Sequence, residues 1–397
     1  MYKQGKFYAF ATTSYLYATV IVDLYRKLVG TNVESVRNIV YFFSFMLLFY
    51  DMIRTKRLQS MFTILIVSLL IFGFSIAINP GYSTVYSSAI LLFISRMWPA
   101  YYIGRYTEDW NILCKFVLLF SPIAFAYAVS LFIVPDLAGG SAYATIASNL
   151  AIVTMISLYA CFYYKKKLLL PIVVACLIPV FFYGTRAFFL GVLISLFLAY
   201  IININNVSPV KKIFLFTTLV VVVAFLLICS DVIFSKLNQW FPDSRTLNMM
   251  VAGDLMDDSN RSSFYDSIFA HLEEKPFSML GFIGDRIYLS SQGADVSEIL
   301  SNFSHNCSLE LCMHFGVPIG IILNIYFIVK LATALKRSFL VQYTINYVYV
   351  LILGVCFLNM MVSASYISEY YVWLLFGLAF NICSKSFYSK DLSTYNE

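Results

Sequence analysis

Residues 254–275, DLMDDSNRSSFYDSIFAHLEEK, lie in the middle of the one long polar interval of a chain that is otherwise apolar. The interval runs from about residue 231 to 305. It carries Asp231, Lys236, Asp243, Arg245, Asp254, Asp257, Asp258, Arg261, Asp266, Glu273, Glu274, Lys275, Asp285, Arg286, Asp295 and Glu298. Such a density of charge predicts a water-facing excursion of about half a small domain. Within it, Phe264, Ile268, Phe269 and Leu272 recur at helical spacing, so an amphipathic helix is expected after the Asp257-Asp258-Ser259 caps, with Arg261 in its first turn. Pro276 stops that helix, and Gly281-Phe-Ile-Gly284 permits a tight turn.

Outward from this interval the composition is that of an integral membrane protein. Of 397 residues, 60% are hydrophobic and 12% charged, and the mean hydropathy is +0.79. A soluble domain has about 25% charged residues. Apolar runs at residues 7–22, 38–53, 61–78, 85–103, 112–134, 143–164, 168–183, 187–202, 213–230, 309–329, 340–362 and 367–383 are each near the length that crosses a ~30 Å hydrocarbon core as a helix. Lys3 and Lys6 ahead of the first run resemble a signal-peptide n-region, but no small-x-small cleavage site follows, so it is read as a span. The expected fold is an all-α polytopic membrane protein with about twelve transmembrane helices and one large extracytoplasmic loop containing short helices. Its organisation reads as an N-terminal bundle of about nine spans over residues 1–230, the loop over 231–308, and about three spans with a cytoplasmic tail over 309–397.

Orientation follows from Lys and Arg, which concentrate in cytoplasmic loops. With the N-terminus inside, the inner loops collect Arg54, Lys56, Arg57, Arg105, Lys115, Lys165, Lys166, Lys167, Lys211, Lys212, Lys336, Arg337, Lys385 and Lys390. The outer loops at 79–84, 135–142 and 363–366 have no Lys or Arg, and the first outer loop alone dissents. Both chain ends are therefore expected inside and the excursion outside. The formal charge of +6 is accounted for by these loops and gives no reason to invoke nucleic acid. Cys114, Cys161, Cys176, Cys229, Cys356 and Cys383 fall in or at the ends of spans, and Cys307 and Cys312 have no partner at disulfide or CxxC spacing, so no disulfide or metal site is implied.

Several residues are candidates for chemistry. Arg186, after Gly184-Thr, stands at an outer boundary between two helices, where a guanidinium either snorkels to headgroups or binds an anion through its planar fork of donors. Arg261 reads as a solvated surface residue or a second anion ligand. Asn306 is an expected N-cap of the returning helix, which puts the positive end of that helix beside His305 and favours a neutral imidazole suited to general-base work; the plainer reading is a polar residue at an interface. Glu310 is five positions on, about 140° around a straight helix, so it does not stack beneath His305. His271, beside Glu273 and Glu274, reads as a surface residue. Asp254, Asp257 and Asp258 have generic turn spacing rather than that of a metal site. Arg96 lies within the run 85–103, where an arginine must pair or face a polar cavity. The 18% aromatic content fits interfacial belts, and Trp240 and Phe241 fit either a belt or sugar stacking.

The order Arg186-Ala-Phe-Phe-Leu190, Arg261, Pro276, Gly281-Phe-Ile-Gly284, His305-Asn306, Leu309-Glu310 and Gly316, all on the outer side, resembles the O-antigen polymerase and O-antigen ligase group of bacterial envelope enzymes. That resemblance implies a C-type glycosyltransferase architecture and a metal-independent transfer of glycan from a polyprenyl diphosphate, with no cofactor. By the same resemblance Arg186 and Arg261 would hold the donor diphosphate and His305 would activate the acceptor hydroxyl, with Arg96 and Glu310 as additional candidates. The implied partners are the lipid-linked donor and acceptor, membrane lipids, and chain-length regulator and flippase proteins, in the inner membrane. Gly-Phe-Ile-Gly in place of a tighter Gly-x-Gly, and the lack of an aromatic after His305-Asn306, depart from the ligase pattern and weaken the ligase assignment more than the superfamily one. The expected activity is that of the polymerase, with the ligase, which differs in acceptor alone, as the nearest alternative. A lipid-linked oligosaccharide transporter is the reading from another class; it would place ionisable residues near the midplane, where Arg96 is the candidate.

Overall fold

The computed structural model describes residues 2–29, 33–133, 142–183, 186–203, 259–291, 303–339, 343–362 and 364–384, with isolated positions between 217 and 299. The expected span at 213–230, the Asp254, Asp257 and Asp258 cluster, and Trp240 and Phe241 lie outside them. Every described secondary-structure element is helical. In chain order these are α1 (Tyr2–Val29), α2 (Val33–Arg54), α3 (Leu58–Ile78), α4 (Ser83–Leu92), α5 (Trp98–Tyr106), α6 (Trp110–Leu119), α7 (Ser121–Ile133), α8 (Ala142–Tyr163), α9 (Leu170–Ala175), α10 (Leu177–Tyr183) and α11 (Arg186–Asn203). After the excursion begins come α12 (Ser259–Glu274), α13 (Gly284–Ser291), α14 (Cys307–Phe315), α15 (Val317–Ser338), α16 (Tyr343–Val362) and α17 (Tyr370–Ser384).

Among the described residues, four helices are long and apolar enough to cross a membrane, within α2, α3, α15 and α16, and a fifth arises if the bent pair α6 and α7 is one span. Shorter apolar helices lie at Asn149–Tyr163, Lys167–Val180, Leu190–Ala199 and Tyr370–Ser384. Residues 112–134, expected as one straight span, bend by 44° between α6 and α7. Pro122 in the first turn of α7 offers no N–H to the preceding helix, and its ring crowds the carbonyl four residues back. Residues 85–103 are continuous, but α4 joins α5 through a π-turn, Phe93–Met97, which contains Arg96. A π-turn inside a helix inserts one residue into the ladder and re-aims the side chains beside it.

A larger departure concerns residues 309–329. They are not one span: the chain breaks at Gly316, whose φ is +78°, and Pro318 restarts it as α15. The nine residues of α14 rise only ~14 Å and are too short to cross. The membrane-capable helix is α15.

The core is a bundle of close crossings. Gly104 of α5 faces Gly377 of α17 so tightly that a Cβ on Gly104 would sit 2.3 Å from the Leu374 carbonyl oxygen. Small residues allow backbones to approach in this way where lipid supplies no hydrophobic drive. On the other flank α11 packs along α16, and Phe188, two residues after Arg186, sets its ring 5.5 Å from that of Tyr371 in the first turn of α17. The start of α11 therefore lies at the same end of the bundle as that turn.

The excursion docks on this end. The expected amphipathic helix exists as α12, and Ile268 packs with Leu289 of α13 and Met313 of α14 in a small separate core. Two expectations for it change. Phe269 is exposed, because the buried stripe follows Phe264, Ile268 and Leu272; His271, read as a surface residue, is buried with its ring 4.6 Å from that of Tyr288. Burial and Lys275 lower the His271 pKa.

Candidate functional site

The turn expected at Gly281-Phe-Ile-Gly284 is the anchor of the site. Gly284 N–H bonds the Gly281 carbonyl at 3.0 Å, and the C-terminal end of α3 grips the turn: Phe282 N–H donates to Ser75 Oγ at 2.8 Å and Asn79 Nδ2 to the Leu280 carbonyl at 3.0 Å. Gly281 has φ +75°, and a Cβ there would stand 2.6 Å from Ser75 Oγ. Ile283 follows at φ +56° although it is β-branched and fully buried. A left-handed L-residue costs ~1–2 kcal/mol, and here it turns the next two residues, Asp285 and Arg286, into the protein.

Those two residues were expected to face water. They are instead 0% and 1% exposed. Asp285 Oδ1 lies 2.8 Å from His314 Nε2, and Asp285 Oδ2 accepts the Ser304 N–H at 3.2 Å. On the far side of the ring, His314 Nδ1 is 2.6 Å from the Tyr366 hydroxyl. With Asp285 ionised, Nε2 carries the proton, and in the neutral ring Nδ1 accepts from Tyr366. Burial pushes the Asp285 carboxyl up, but His314, Arg286 and the Ser304 N–H outweigh it and hold it below the ordinary carboxylate range.

Arg286 forms a second, parallel connection. Its Nη2 donates to Ser365 Oγ at 2.6 Å and lies 3.5 Å from Glu310 Oε1; Ser365 Oγ donates to Glu310 Oε1 at 2.5 Å, and Tyr366 N–H donates to Glu310 Oε2 at 3.0 Å. Burial and the Asp285 charge push Glu310 up to about 7. Both connections end on Ser365 and Tyr366, in the turn before α17. Asp285, Glu310 and His314 bring potential ligand atoms within 4.8 Å of one another. Each of those atoms already has a hydrogen-bond or ion-pair partner, and the Arg286 guanidinium occupies the position of positive charge.

His305 stands at the edge of this network. Its φ is +51°, and it precedes Asn306, the expected cap of α14, whose Oδ1 accepts from Ser308 N at 2.8 Å and Leu309 N at 3.2 Å. Asn306 Nδ2 donates to the Met361 carbonyl at 2.7 Å, tying the cap to the end of α16. The Phe303 ring lies 4.2 Å from the His305 ring and also carries the Arg286 guanidinium at 5.5 Å. Glu310 serves Arg286, Ser365 and the Tyr366 N–H.

Arg186 opens α11 and Arg261 lies in the first turn of α12. Their side chains lie outside the described residues. Arg96 is half-buried and meets the requirement for a partner: Nη2 donates to the Tyr41 hydroxyl at 2.9 Å, and the guanidinium lies 4.9 Å from the Tyr41 ring centre. Glu369, in the turn before α17, feels both Arg96 and Arg286: burial raises its carboxyl to about 7 against those opposing charges.

Sequence reasoning missed Asp285, Arg286, His314, Ser365 and Tyr366. A signal for His314 existed, since it is one of three histidines and falls in a run read as intramembrane. No curated protein matches the chain. Residues 171–325, which include Arg186, Arg261, Arg286, His305 and His314, match the family profile described as O-antigen ligase. That stretch of the chain is therefore similar to the O-antigen ligase family.

Proposed function

We propose that the protein is an extracytoplasmic polymerase that transfers a growing glycan from a polyprenyl diphosphate onto an incoming lipid-linked repeat unit at the outer face of the bacterial inner membrane. The observation that carries the reading is His305, held in a left-handed conformation at the capped start of α14 with its ring tilted against that of Phe303, which also carries Arg286, inside the region that matches O-antigen ligase. A backbone held in a sparsely populated conformation by its surroundings is characteristic of sites that position a reacting group.

In the proposed step His305 takes the acceptor hydroxyl proton, the acceptor oxygen forms a bond to the anomeric carbon, and the bond from that carbon to the diphosphate breaks with its electron pair on the leaving group. Inversion follows from backside attack. Arg186 and Arg261 stabilise the charge developing on the diphosphate, as pre-placed guanidiniums do without a divalent cation. A positioned base contributes ~10² to 10⁴ in rate. The about twelve spans and inward chain ends expected from the sequence put the excursion on the side where such lipid-linked glycans are joined. Chain-length regulator and flippase proteins are the partners that this role calls for.

The description of the matching family favours a second reading, the ligase, which moves the finished glycan to lipid A core. The two differ in acceptor alone. Purified protein supplied with lipid-linked repeat units should yield stepwise longer lipid-linked products. Transfer only to a lipid A core acceptor would replace the polymerase by the ligase, and full activity in His305→Ala would remove His305 from the reaction.

A further inference from the structure

We propose that His314 is a positioning residue for His305, acting through Asp285. The inference rests on the glycan-transfer reading for what His305 does, while the physical link between the two histidines stands on the bonds alone.

The link has three members. His314 Nε2 fixes Asp285 Oδ1 at 2.8 Å, the other oxygen of the same carboxylate accepts the Ser304 N–H at 3.2 Å, and Ser304 is the chain neighbour of His305. A left-handed histidine costs ~1–2 kcal/mol relative to its ordinary conformations, so it persists only where the residues on both sides are pinned. On the C-terminal side the pin is Asn306, through the α14 cap and the Met361 carbonyl. On the N-terminal side it is Ser304, whose N–H is held by Asp285 and whose Oγ donates to the Asn306 carbonyl at 3.1 Å.

Asp285 can hold Ser304 only while its own orientation is fixed. Arg286 is committed to Ser365 and Glu310, so the bond that orients the Asp285 carboxylate is the one from His314. His314 is oriented in turn by Tyr366 and by the Phe282 ring, whose centre lies 6.1 Å from its own. Loss of the His314 bond frees Asp285 to rotate, orphans a buried Ser304 N–H, and lets His305 relax. Displacement of a reacting group by ~1 Å costs on the order of 10²-fold in rate. A role confined to stability would leave His305 where it is.

The chain has three histidines, so ring nitrogens labelled with ¹⁵N can be followed one by one in the full-length protein in lipid nanodiscs. The measurement compares wild type, His314→Leu and His314→Gln, together with kcat and KM for a lipid-linked repeat-unit donor. In His314→Leu the His305 resonances should move, and kcat should fall about tenfold to a hundredfold with KM unchanged. His314→Gln, whose amide can still donate to Asp285, should recover part of both. Unmoved His305 resonances and unchanged kcat in a folded His314→Leu protein would overturn the proposal. If His314→Leu does not fold, Tyr366→Phe carries the test. It deletes one hydroxyl, and it should shift His314 Nδ1 and His305 and lower kcat by a smaller factor; no shift at His305 would overturn the link. Wild-type protein that transfers no glycan would dispose of the functional reading, and the resonances would still decide the link.

Discussion

At the scale of single residues, the site depends on charges that are buried and paired. Arg286 is the clearest case, 1% exposed beside a Glu310 that is 0% exposed. A buried pair contributes little over an apolar replacement, but removal of one partner strands the other and costs ~3–5 kcal/mol. Arg286→Ala should therefore destabilise the protein by about that amount, and Arg286→Ala combined with Glu310→Ala by less than the sum of the two single changes, because they share one interaction. Denaturation of the four proteins in the same detergent checks this; strict additivity would mean that the pair is not coupled. His305→Ala and Arg186→Ala belong to a different class. Both should abolish glycan transfer with little change in stability, since His305 is partly exposed and Arg186 begins a helix that packs through Phe188.

At the scale of elements, two glycines that look alike in sequence should behave in opposite ways. Gly281 sits at φ +75° with Ser75 against its missing Cβ, whereas Gly73, in the middle of α3, has nothing within 4 Å of a Cβ. Gly281→Ala should cost more than ~1 kcal/mol and lower activity, because the turn aims Asp285 and Arg286. Gly73→Ala should stabilise α3 by up to ~1 kcal/mol. Thermal unfolding of both variants checks the pair, and equal effects would contradict the account of the turn. The elements themselves were largely legible. Apolar length marks α2, α3, α15 and α16, Asn306 marks the start of α14, and helical spacing marks α12. What length could not reveal was where a run breaks. Gly316 ends α14 through a positive φ within an unbroken apolar run, so the helix carrying Glu310 and His314 was merged with the span that follows it.

The same difficulty hid most of the site. Asp285 and Arg286 stand among charges that do face water, and their burial depends on Ser365 and Tyr366, about eighty residues away in a turn with no Lys or Arg of its own. Pairings at that separation leave no local pattern. The Asn306 cap beside His305 was legible because its signal is local.

At the scale of the whole molecule, the buried carboxyls make stability depend on pH. Glu310 is raised from its ordinary 4.5 to about 7, and Glu369 likewise. A raised pKa means that the folded state holds the proton more tightly, so the stabilisation is complete below about 4.5 and is lost as pH rises through about 7. Asp285, with a lowered pKa, acts in the opposite sense and only in stronger acid. The apparent Tm should therefore fall between pH 5.5 and pH 8, and Glu310→Gln should flatten that slope. A Tm that rises over this range would contradict the assignment.

The central claim, that this chain joins lipid-linked glycans outside the membrane, is tested most directly by the glycan ladder of cells lacking the protein, complemented with wild type, Arg186→Ala, Arg261→Ala or His305→Ala at matched membrane abundance. The account predicts single-repeat glycan in the null strain and a ladder restored by wild type but by none of the three variants. An undiminished ladder in the null strain, or repeat units trapped on the cytoplasmic face, would contradict it.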